Sequence, residues 1–154
     1  MTRIARTTDI ATCRALRRTV FIGEQGVSEA DEVDDRDGEA IHLLAIVSGR
    51  PVGSARLLIE GDTGKIGRVC VLAEARGTGL GAALMRAAVA ELAQIPGVSR
   101  AMLGAQVHAL GFYERLGFAA VGPVYRDAGI EHLDMVLEVP PAAGGPDNGT
   151  PPER

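Results

Sequence analysis

Three glycines at alternate positions, in the stretch from Arg76 to Gly81, separate an apolar segment from an amphipathic one. The first segment, Ile66 to Leu72, has the composition of a strand, and the second, Thr78 to Gln94, repeats apolar residues every four positions, as a helix does. Glycines leave the amides at a helix start open, and the helix dipole there favours an anion. Because Arg76 adds a permanent cation, the pattern predicts a strand, a turn and a helix that bind a phosphate group.

Two other phosphate-binding motifs fit this turn less well. A P-loop needs a lysine at the start of the helix, whereas the single lysine, Lys65, precedes the turn. The pattern Gly77-x-Gly79-x-x-Ala82 matches a dinucleotide fingerprint, which follows the first strand of its domain and is followed about 20 residues later by an acid. Here three predicted strands come first, and the strand at 100–106 has no acid. A dinucleotide site is therefore the weaker alternative.

The rest of the pattern predicts an α+β or mixed α/β fold, with one sheet and helices on both of its faces. A first helix begins at Asp9 as N-cap, and Glu24 to Glu39, with eight acids and one base, is a long polar excursion that we expect to be a solvated loop. The other predicted elements are strands at 41–47, 52–59, 66–72 and 100–106, helices at 78–94 and 109–116, and strands at 118–124 and 131–138.

Composition limits the number of domains and the class of partner. The chain of 154 residues has one folded unit at 1–139, followed by a Pro/Gly-rich segment at 140–154 that we expect to be a disordered tail. A net charge of −4 and five aromatic residues argue against a nucleic-acid partner. No apolar run reaches the ~18 residues of a membrane helix, and the beginning lacks a signal peptide's apolar stretch, so we expect a cytoplasmic protein. Two cysteines, Cys13 and Cys70, are too few for a structural zinc site, and no metal is expected.

Two blocks of the sequence resemble the GNAT superfamily of N-acetyltransferases. The first is the strand end Val69-Cys70-Val71 with Arg76-x-x-Gly79-x-Gly81, which is similar to the family's coenzyme A motif. The second, Gln106 to Phe118, resembles the element Asn-x-x-Ala-x-x-Phe-Tyr-Glu-x-x-Gly-Phe, with Gln106 in place of the commoner Asn. Four short motifs in the right order are similar to ElaA-type GNAT proteins; they begin at Phe21, Ile66, Leu103 and Gly129.

The resemblance implies a GNAT fold, with a mixed, mostly antiparallel sheet that splays between the strands at 66–72 and 100–106. It implies that acetyl-CoA is the cosubstrate and lies in this splay. Tyr113 would lie beside the coenzyme sulfur and protonate the leaving thiolate. The other coenzyme-binding residues that it implies are Val69, Cys70, Val71, Arg76, Gly77, Thr78, Gly79, Leu80, Gly81 and Gln106.

Acyl transfer from a thioester requires a deprotonated amine, so a residue near the acceptor must take up a proton. The candidate bases are His132 and Glu24, with Asp34, His42 and His108 as alternatives. The candidate acceptor-binding residues are His132, Glu24, Asp34 and Arg68. A buried Arg68 would need an acidic partner such as Glu24 or Asp34. The acidic stretch beside the expected acceptor site favours a cationic acceptor, such as a polyamine or a lysine-like amine.

The sequence therefore predicts an acetyl-CoA-dependent N-acetyltransferase that transfers an acetyl group directly to a primary amine of a small molecule or peptide. The alternative is a non-catalytic acyl-CoA-binding module that contacts a partner protein through the acidic segment at 24–39. The protein is expected to be a monomer or a homodimer.

Overall fold

The computed structural model describes residues 1–140, so the predicted tail lies, apart from Pro140, outside the described residues. The strands are β1 (Thr2–Thr7), β2 (Ile41–Val47), β3 (Arg50–Glu60), β4 (Thr63–Val71), β5 (Arg100–Gln106), β6 (Ala119–Asp127) and β7 (Ile130–Glu138). The α-helices are α1 (Ile10–Arg17), α2 (Glu29–Glu32), α3 (Leu80–Ala93) and α4 (Leu110–Arg115). A π-helical turn at Arg18–Glu24 continues α1, and short 3-10 turns occur at Asp37–Glu39, Ala73–Ala75 and Val107–Ala109.

The seven strands form one sheet in the order β1-β2-β3-β4-β5-β7-β6. Every neighbouring pair is antiparallel except β4 and β5, which run parallel. This is the mixed, mostly antiparallel sheet that the sequence predicted. The last strand, β7, lies between β5 and β6, so the end of the described chain is inside the sheet and not at its edge.

Helices cover both faces of the sheet, as expected. Successive residues of a strand point to opposite faces, and β2 shows the division: Leu43 belongs to the apolar cluster of α3, whereas Leu44 belongs to that of α1. The predicted apolar stripe of α3 is fully buried, at 5% exposure or less; its members are Leu80, Leu84, Ala88 and Leu92. On the other face, Cys13 and Leu16 of α1 pack beside Leu44.

The beginning of the chain contains a strand that the sequence analysis did not predict. Residues Thr2–Thr7 form β1, which pairs with β2 at the edge of the sheet and is mostly exposed. An exposed edge strand has no apolar face to produce a period of two in its sequence, and Ile4 is its one large apolar residue. The predicted cap of α1 is correct, since Asp9 Oδ1 accepts the amide hydrogen of Thr12 at 3.1 Å.

Within residues 1–140, no helix has both the length and the apolar character needed to cross a lipid bilayer.

Candidate active site

The strands β4 and β5 are hydrogen-bonded to each other only where they begin. Thr63–Lys65 pairs with Arg100–Met102, and beyond these residues the two strands run on, unpaired with each other, to Val71 and Gln106. The resemblance implied a splay at this place, and the structure has it. A cavity of about 560 Å³ opens between the separated strands, and residues of α4 complete its wall.

The glycine turn leads into α3 with open backbone amides. Gly77 and Gly79 have φ values of +77° and +82°, which only glycine adopts readily, and no atom lies within 4 Å of the place where a Cβ would be at either residue. The N-cap residue of α3 is Gly79, which has no side chain to cap the helix, and the hydroxyl of the preceding Thr78 donates to Ala75 O at 2.7 Å. An uncapped helix start with open space before it fits the pyrophosphate of coenzyme A.

Arg76 and Glu24 form an ion pair beside this turn. Arg76 Nη2 lies 2.6 Å from Glu24 Oε1, and its Nε donates to Val71 O at 2.9 Å. Both side chains line a second cavity of about 550 Å³. Glu24 does not line the larger cavity, which His132 lines, so the structure does not bring the two candidate bases together.

Val69, Cys70 and Val71 line the second cavity from β4. The Cys70 side chain packs toward α1, with its sulfur 3.8 Å from Ser54 Oγ. Burial raises the pKa of the Cys70 thiol to about 11, despite the contact with Ser54. The thiol is therefore protonated near neutral pH and a poor nucleophile.

Gln106, at the end of β5, is part of a short hydrogen-bonded chain that the sequence analysis did not foresee. Its Nε2 donates to Gln25 Oε1 at 3.1 Å, and its Oε1 accepts from His108 Nε2 at 2.6 Å. All three residues line both cavities. The chain thus marks the place where the two cavities meet.

Tyr113 lies on α4 and lines the larger cavity. Its ring makes edge contacts with Phe112, at a centroid distance of 5.0 Å, and with Phe118, at 6.3 Å. Burial raises the pKa of the Tyr113 hydroxyl above its ordinary value. The phenol therefore stays neutral and able to donate its proton at physiological pH.

His132 is placed by the register of the sheet. It pairs with Gln106 on one side and with Tyr125 on the other, so these three residues form a row across β5, β7 and β6. Its Nδ1 lies 2.7 Å from Ile130 O. Because a carbonyl can only accept, Nδ1 carries the proton of the neutral ring and the lone pair is on Nε2. His132 is 9% exposed and lines the larger cavity.

Tyr125 supports His132 from β6. The two rings stack at a centroid distance of 5.8 Å, and the Tyr125 hydroxyl donates to Asp134 Oδ1 at 2.7 Å. Burial, together with this bond to a carboxylate, raises the pKa of Tyr125. Gly104 makes the arrangement possible, because a Cβ at this position would collide with the Tyr125 hydroxyl.

The acidic stretch is not the solvated loop that its composition predicted. Glu32 and Asp37 are only 3% and 2% exposed. Six of its eight carboxylates are in ion pairs with arginines: Glu24, Glu29, Glu32, Asp34, Asp37 and Glu39. The protein's own arginines thus neutralise most of the stretch, and the expectation of a cationic acceptor loses its electrostatic basis.

Arg56 and Arg68 anchor this stretch at the larger cavity. Arg56 binds Asp34 with two hydrogen bonds, of 2.8 and 3.0 Å. Arg68 Nη2 donates to Asp34 Oδ2 at 3.3 Å. The acidic partner expected for Arg68 is therefore Asp34, while Glu24 pairs with Arg76. The sequence analysis missed Arg56, although a charged residue in the apolar strand at 52–59 was a signal of a buried partner.

Below Arg56, the ion pairs continue into the protein. Arg17, in the last turn of α1, is 2% exposed and binds Glu32 at 2.8 Å and Asp37 at 2.9 Å. Arg14 binds Asp37 at 2.8 Å. Although burial acts to raise it, these guanidinium groups hold the pKa of the Asp37 carboxyl well below its ordinary value. We name Arg14, Arg17, Arg56, Arg68, Glu32, Asp34 and Asp37 the charged cluster.

Metal-ligating side chains do not gather in this part of the chain: within residues 1–140, no group of three or more His, Cys, Asp or Glu residues has an arrangement that could hold a metal ion.

Comparisons with known proteins agree with this geometry. The family model for the acetyltransferase (GNAT) domain matches residues 17–139. ElaA of Escherichia coli is 35% identical over 128 residues, covering 80% of this chain and 84% of that protein. The crystal structure of E. coli ElaA has a TM-score of 0.78 at 28% identity, covering 88% of this chain and 97% of that one.

Two further proteins extend the comparison. The uncharacterized N-acetyltransferase YjcF of Bacillus subtilis is 34% identical over 124 residues, covering 80% of this chain and 88% of that protein. An acyl-CoA N-acyltransferase from Pseudomonas aeruginosa has a TM-score of 0.78 at 32% identity, covering 88% of this chain and 97% of that one. None of these proteins supports the alternative of a non-catalytic module.

The resemblance that the sequence motifs indicated is thus confirmed, both for the superfamily and for the ElaA-type relatives. The family uses acetyl-CoA. From the strand splay, the open glycine turn and a family match over most of its length, it follows that this chain belongs to the GNAT family of acetyltransferases and is an acyltransferase.

Proposed function

We propose that this chain transfers the acetyl group of acetyl-CoA directly to a primary amine of a small molecule or peptide. One observation carries the proposal. Tyr113 and His132 line the same cavity in the splay, and this cavity shares Val69 and Gln106 with the second cavity, which reaches Arg76. A coenzyme site, a proton donor and a proton acceptor are therefore arranged along one cleft.

The residues that would hold acetyl-CoA form the coenzyme half of the cleft: Val69 to Val71, Arg76 to Gly81, and Gln106. The amides of the glycine turn bind the pyrophosphate, and the unpaired backbone of β4 holds the pantetheine arm. Glu24, whose carboxylate is 2.6 Å from Arg76, orients this arginine beside the turn. That contact favours a positioning role for Glu24 over a role as base. When bound, acetyl-CoA supplies the acetyl group as a reactive thioester.

His132 accepts the proton of the amine. Its Nδ1 hydrogen bond to Ile130 O fixes the tautomer, and stacking on Tyr125 fixes the plane of the ring. The lone pair on Nε2 is therefore available to accept a proton at the cavity that His132 lines, which is what a general base requires. The amine that has lost its proton then attacks the thioester carbonyl.

Tyr113 supplies a proton at the other end of the reaction. As the nitrogen–carbon bond forms and the carbon–sulfur bond breaks, the negative charge develops on sulfur, and the neutral phenol donates its proton there. The nitrogen then carries one surplus proton, and its transfer through solvent returns Tyr113 to the neutral phenol, while His132 releases its own proton to solvent. The raised pKa of Tyr113 keeps this proton in place until it is needed. Transfer is direct, because the Cys70 thiol is buried, protonated and packed toward α1.

Calorimetric titration tests the coenzyme site. Acetyl-CoA should bind the wild type with micromolar affinity, and NAD should not bind. Gly79→Ala should weaken acetyl-CoA binding about tenfold or more, because it strains the turn and blocks an open amide. Gly97→Ala is the matched control: Gly97 has a φ of +86° and nothing within 4 Å of its missing Cβ, but it lies at the opposite end of α3. Equal weakening by both substitutions, or binding of NAD, would overturn the proposed site.

A further inference from the structure

Arg68 has an unusual backbone conformation for its place in the fold. Its φ is +51°, and the other non-glycine residues with positive φ in the described chain, Ser48 and Ala128, lie in turns, whereas Arg68 lies inside β4. The pairing of β3 with β4 is irregular there, so Arg68 and Val69 together lie opposite Ala55. Such a bulge re-aims a side chain. In this case Arg68 lines the larger cavity.

The protein does not use all the hydrogen-bond donors of Arg68. Both of its hydrogen bonds are made by Nη2, to Glu32 O at 3.0 Å and to Asp34 Oδ2 at 3.3 Å. Nε lies 3.3 Å from Glu32 Oε2 but outside hydrogen-bond geometry, and it has no hydrogen-bond partner within residues 1–140. The same is true of Nε in Arg56, a residue only 5% exposed that also lines the cavity. Both Nε atoms are buried and do not face the cavity, but Nη1 of Arg68 makes no hydrogen bond within residues 1–140, and its two donors remain for a ligand.

The cations around Arg68 face the cavity, whereas their carboxylate partners do not line it. Arg56, Lys65 and Arg68 are in the cavity wall. The carboxylates that pair with them lie outside that wall: Glu32, Asp34, Asp37 and Glu60. This side of the cavity therefore favours an anion.

Across the splay, the wall formed by β6 and β7 has the opposite charge. Asp127 and Asp134 line the cavity there, on either side of the hairpin that places His132. Asp31, on α2, is the remaining carboxylate in the lining. A protonated amine is therefore favoured on the side of His132, and an anionic group on the side of Arg68.

We propose that the acceptor is a primary amine that also carries a carboxylate, an amino acid being the simplest example. The carboxylate binds Arg68, which hydrogen bonds to Glu32 O and Asp34 hold in place, and the amine lies toward His132. This inference rests on the proposed acetyl transfer and names the substrate class that the same cleft selects. Arginine suits the role because its planar group binds a carboxylate through two donors.

A panel of L-amino acids, each paired with its own carboxamide, tests the inference. The carboxamide also has a lower amine pKa, so the kcat/KM values from a thiol-release assay are expressed per free amine, and their ratio then isolates the carboxylate. Wild type should favour the acid about 10- to 100-fold, which is the effect of a charge-assisted hydrogen bond. Arg68→Gln should bring the ratio close to one, whatever it does to the overall rate. Arg50→Gln, at an exposed arginine paired with Glu74, should leave the ratio as in wild type.

Two results would overturn the inference: carboxamides acetylated as well as their acids, or an unchanged ratio in Arg68→Gln. If Arg68→Gln does not fold, Arg68→Lys replaces it, because lysine keeps the charge without the paired donors. The ratio should then fall to an intermediate value, and a ratio equal to that of wild type would count against the proposal.

A titration without turnover separates this inference from the proposed function. The protein saturated with coenzyme A is titrated with the same pairs in a calorimeter. Tighter binding of the acids in this titration, with no acetylation of any member of the panel in the thiol-release assay, would support the carboxylate site and overturn acetyl transfer. Acetylation of acids and carboxamides alike would support acetyl transfer and overturn the carboxylate site.

Discussion

The coenzyme half of the cleft and its acceptor half draw on different parts of the chain. In the coenzyme half, consecutive residues from Arg76 to Gly81 present backbone amides at the start of α3. In the acceptor half, which comprises His132 and the charged cluster, Arg68 contacts Asp34 from 34 positions away. Under the proposed function, the first half recognises its ligand through the main chain and the second through side chains.

The two halves should therefore respond differently to amino-acid substitutions. A backbone site depends on conformation at one turn, so a change of φ there affects binding without breaking contacts elsewhere. A cluster of buried charges depends on all its members at once, because removing one leaves another without a partner. Substitutions in the acceptor half should therefore affect stability as well as turnover, and the following experiments test that distinction.

His132→Ala should have the largest effect. Loss of a general base lowers kcat by about 10²- to 10⁴-fold, whereas acetyl-CoA binding, which uses the other half of the cleft, should be unchanged. Steady-state thiol release with an amine present and calorimetry with acetyl-CoA measure the two effects separately. A kcat within a few fold of wild type would remove His132 from the mechanism.

Asp37→Asn should be the most destabilising substitution in the charged cluster. Breaking a buried ion pair typically costs about 3–5 kcal/mol of unfolding free energy, because the arginines around Asp37 lose their partner. Glu74→Gln is the control, since it removes an exposed pair with Arg50 and should cost less than about 1 kcal/mol. Urea denaturation measures both values. Equal losses of unfolding free energy in the two variants would show that the buried cluster contributes no more to stability than an exposed ion pair does.

The Asp37 carboxyl should make the stability of the fold sensitive to acid. Its pKa is lower in the folded state than the ordinary value of about 3.9. The stabilisation is therefore complete above about pH 4 and is lost as the pH falls toward the folded-state pKa. Unfolding free energies measured from pH 5 downward should fall more steeply for wild type than for Asp37→Asn, and parallel curves would contradict this explanation.

Tyr113→Phe should have a smaller effect than loss of the base. We expect kcat to fall about 10- to 100-fold, since water can also protonate the thiolate, and coenzyme affinity should be retained. Thiol release with a saturating amine measures the change. Unchanged release would assign Tyr113 to packing between Phe112 and Phe118 alone.

Two glycine substitutions should have the smallest effects. Stability should fall on substitution of Gly104 and rise on substitution of Gly81. Gly104→Ala should destabilise by about 1–3 kcal/mol, because the new methyl group collides with the Tyr125 hydroxyl. In Gly81→Ala the methyl group would meet Phe112 at an ordinary 3.6 Å, so stability should rise by about 0.5–1 kcal/mol through helix propensity. Thermal unfolding without ligand compares them, and a shift of the same sign in both would contradict the expected difference.

The sequence predicted the strand, turn and helix of the proposed coenzyme half because their signals are local. A strand, alternate glycines and a helical repeat are visible within about twenty residues, and the structure has these elements at Thr63–Val71 and Leu80–Ala93. The acceptor half was predicted less well. The contact of Arg17 with Asp37 spans 20 positions, and no periodic pattern indicates it. Edge strand β1 was missed for a related reason: its stability comes from its partner β2 and not from its own residues.

The cleft depends on β7, so its two halves cannot be completed at the same time during synthesis. Synthesis proceeds from the N-terminus, so the coenzyme half, up to Gln106, leaves the ribosome before His132 does. A chain stopped at residue 129 would contain the glycine turn and Tyr113, but β5 would lack its neighbour on one side. Under the proposed mechanism, a nascent chain contains the coenzyme residues before it contains the base, and pairing of β7 with β5 and β6 is the event that places His132 in the cleft.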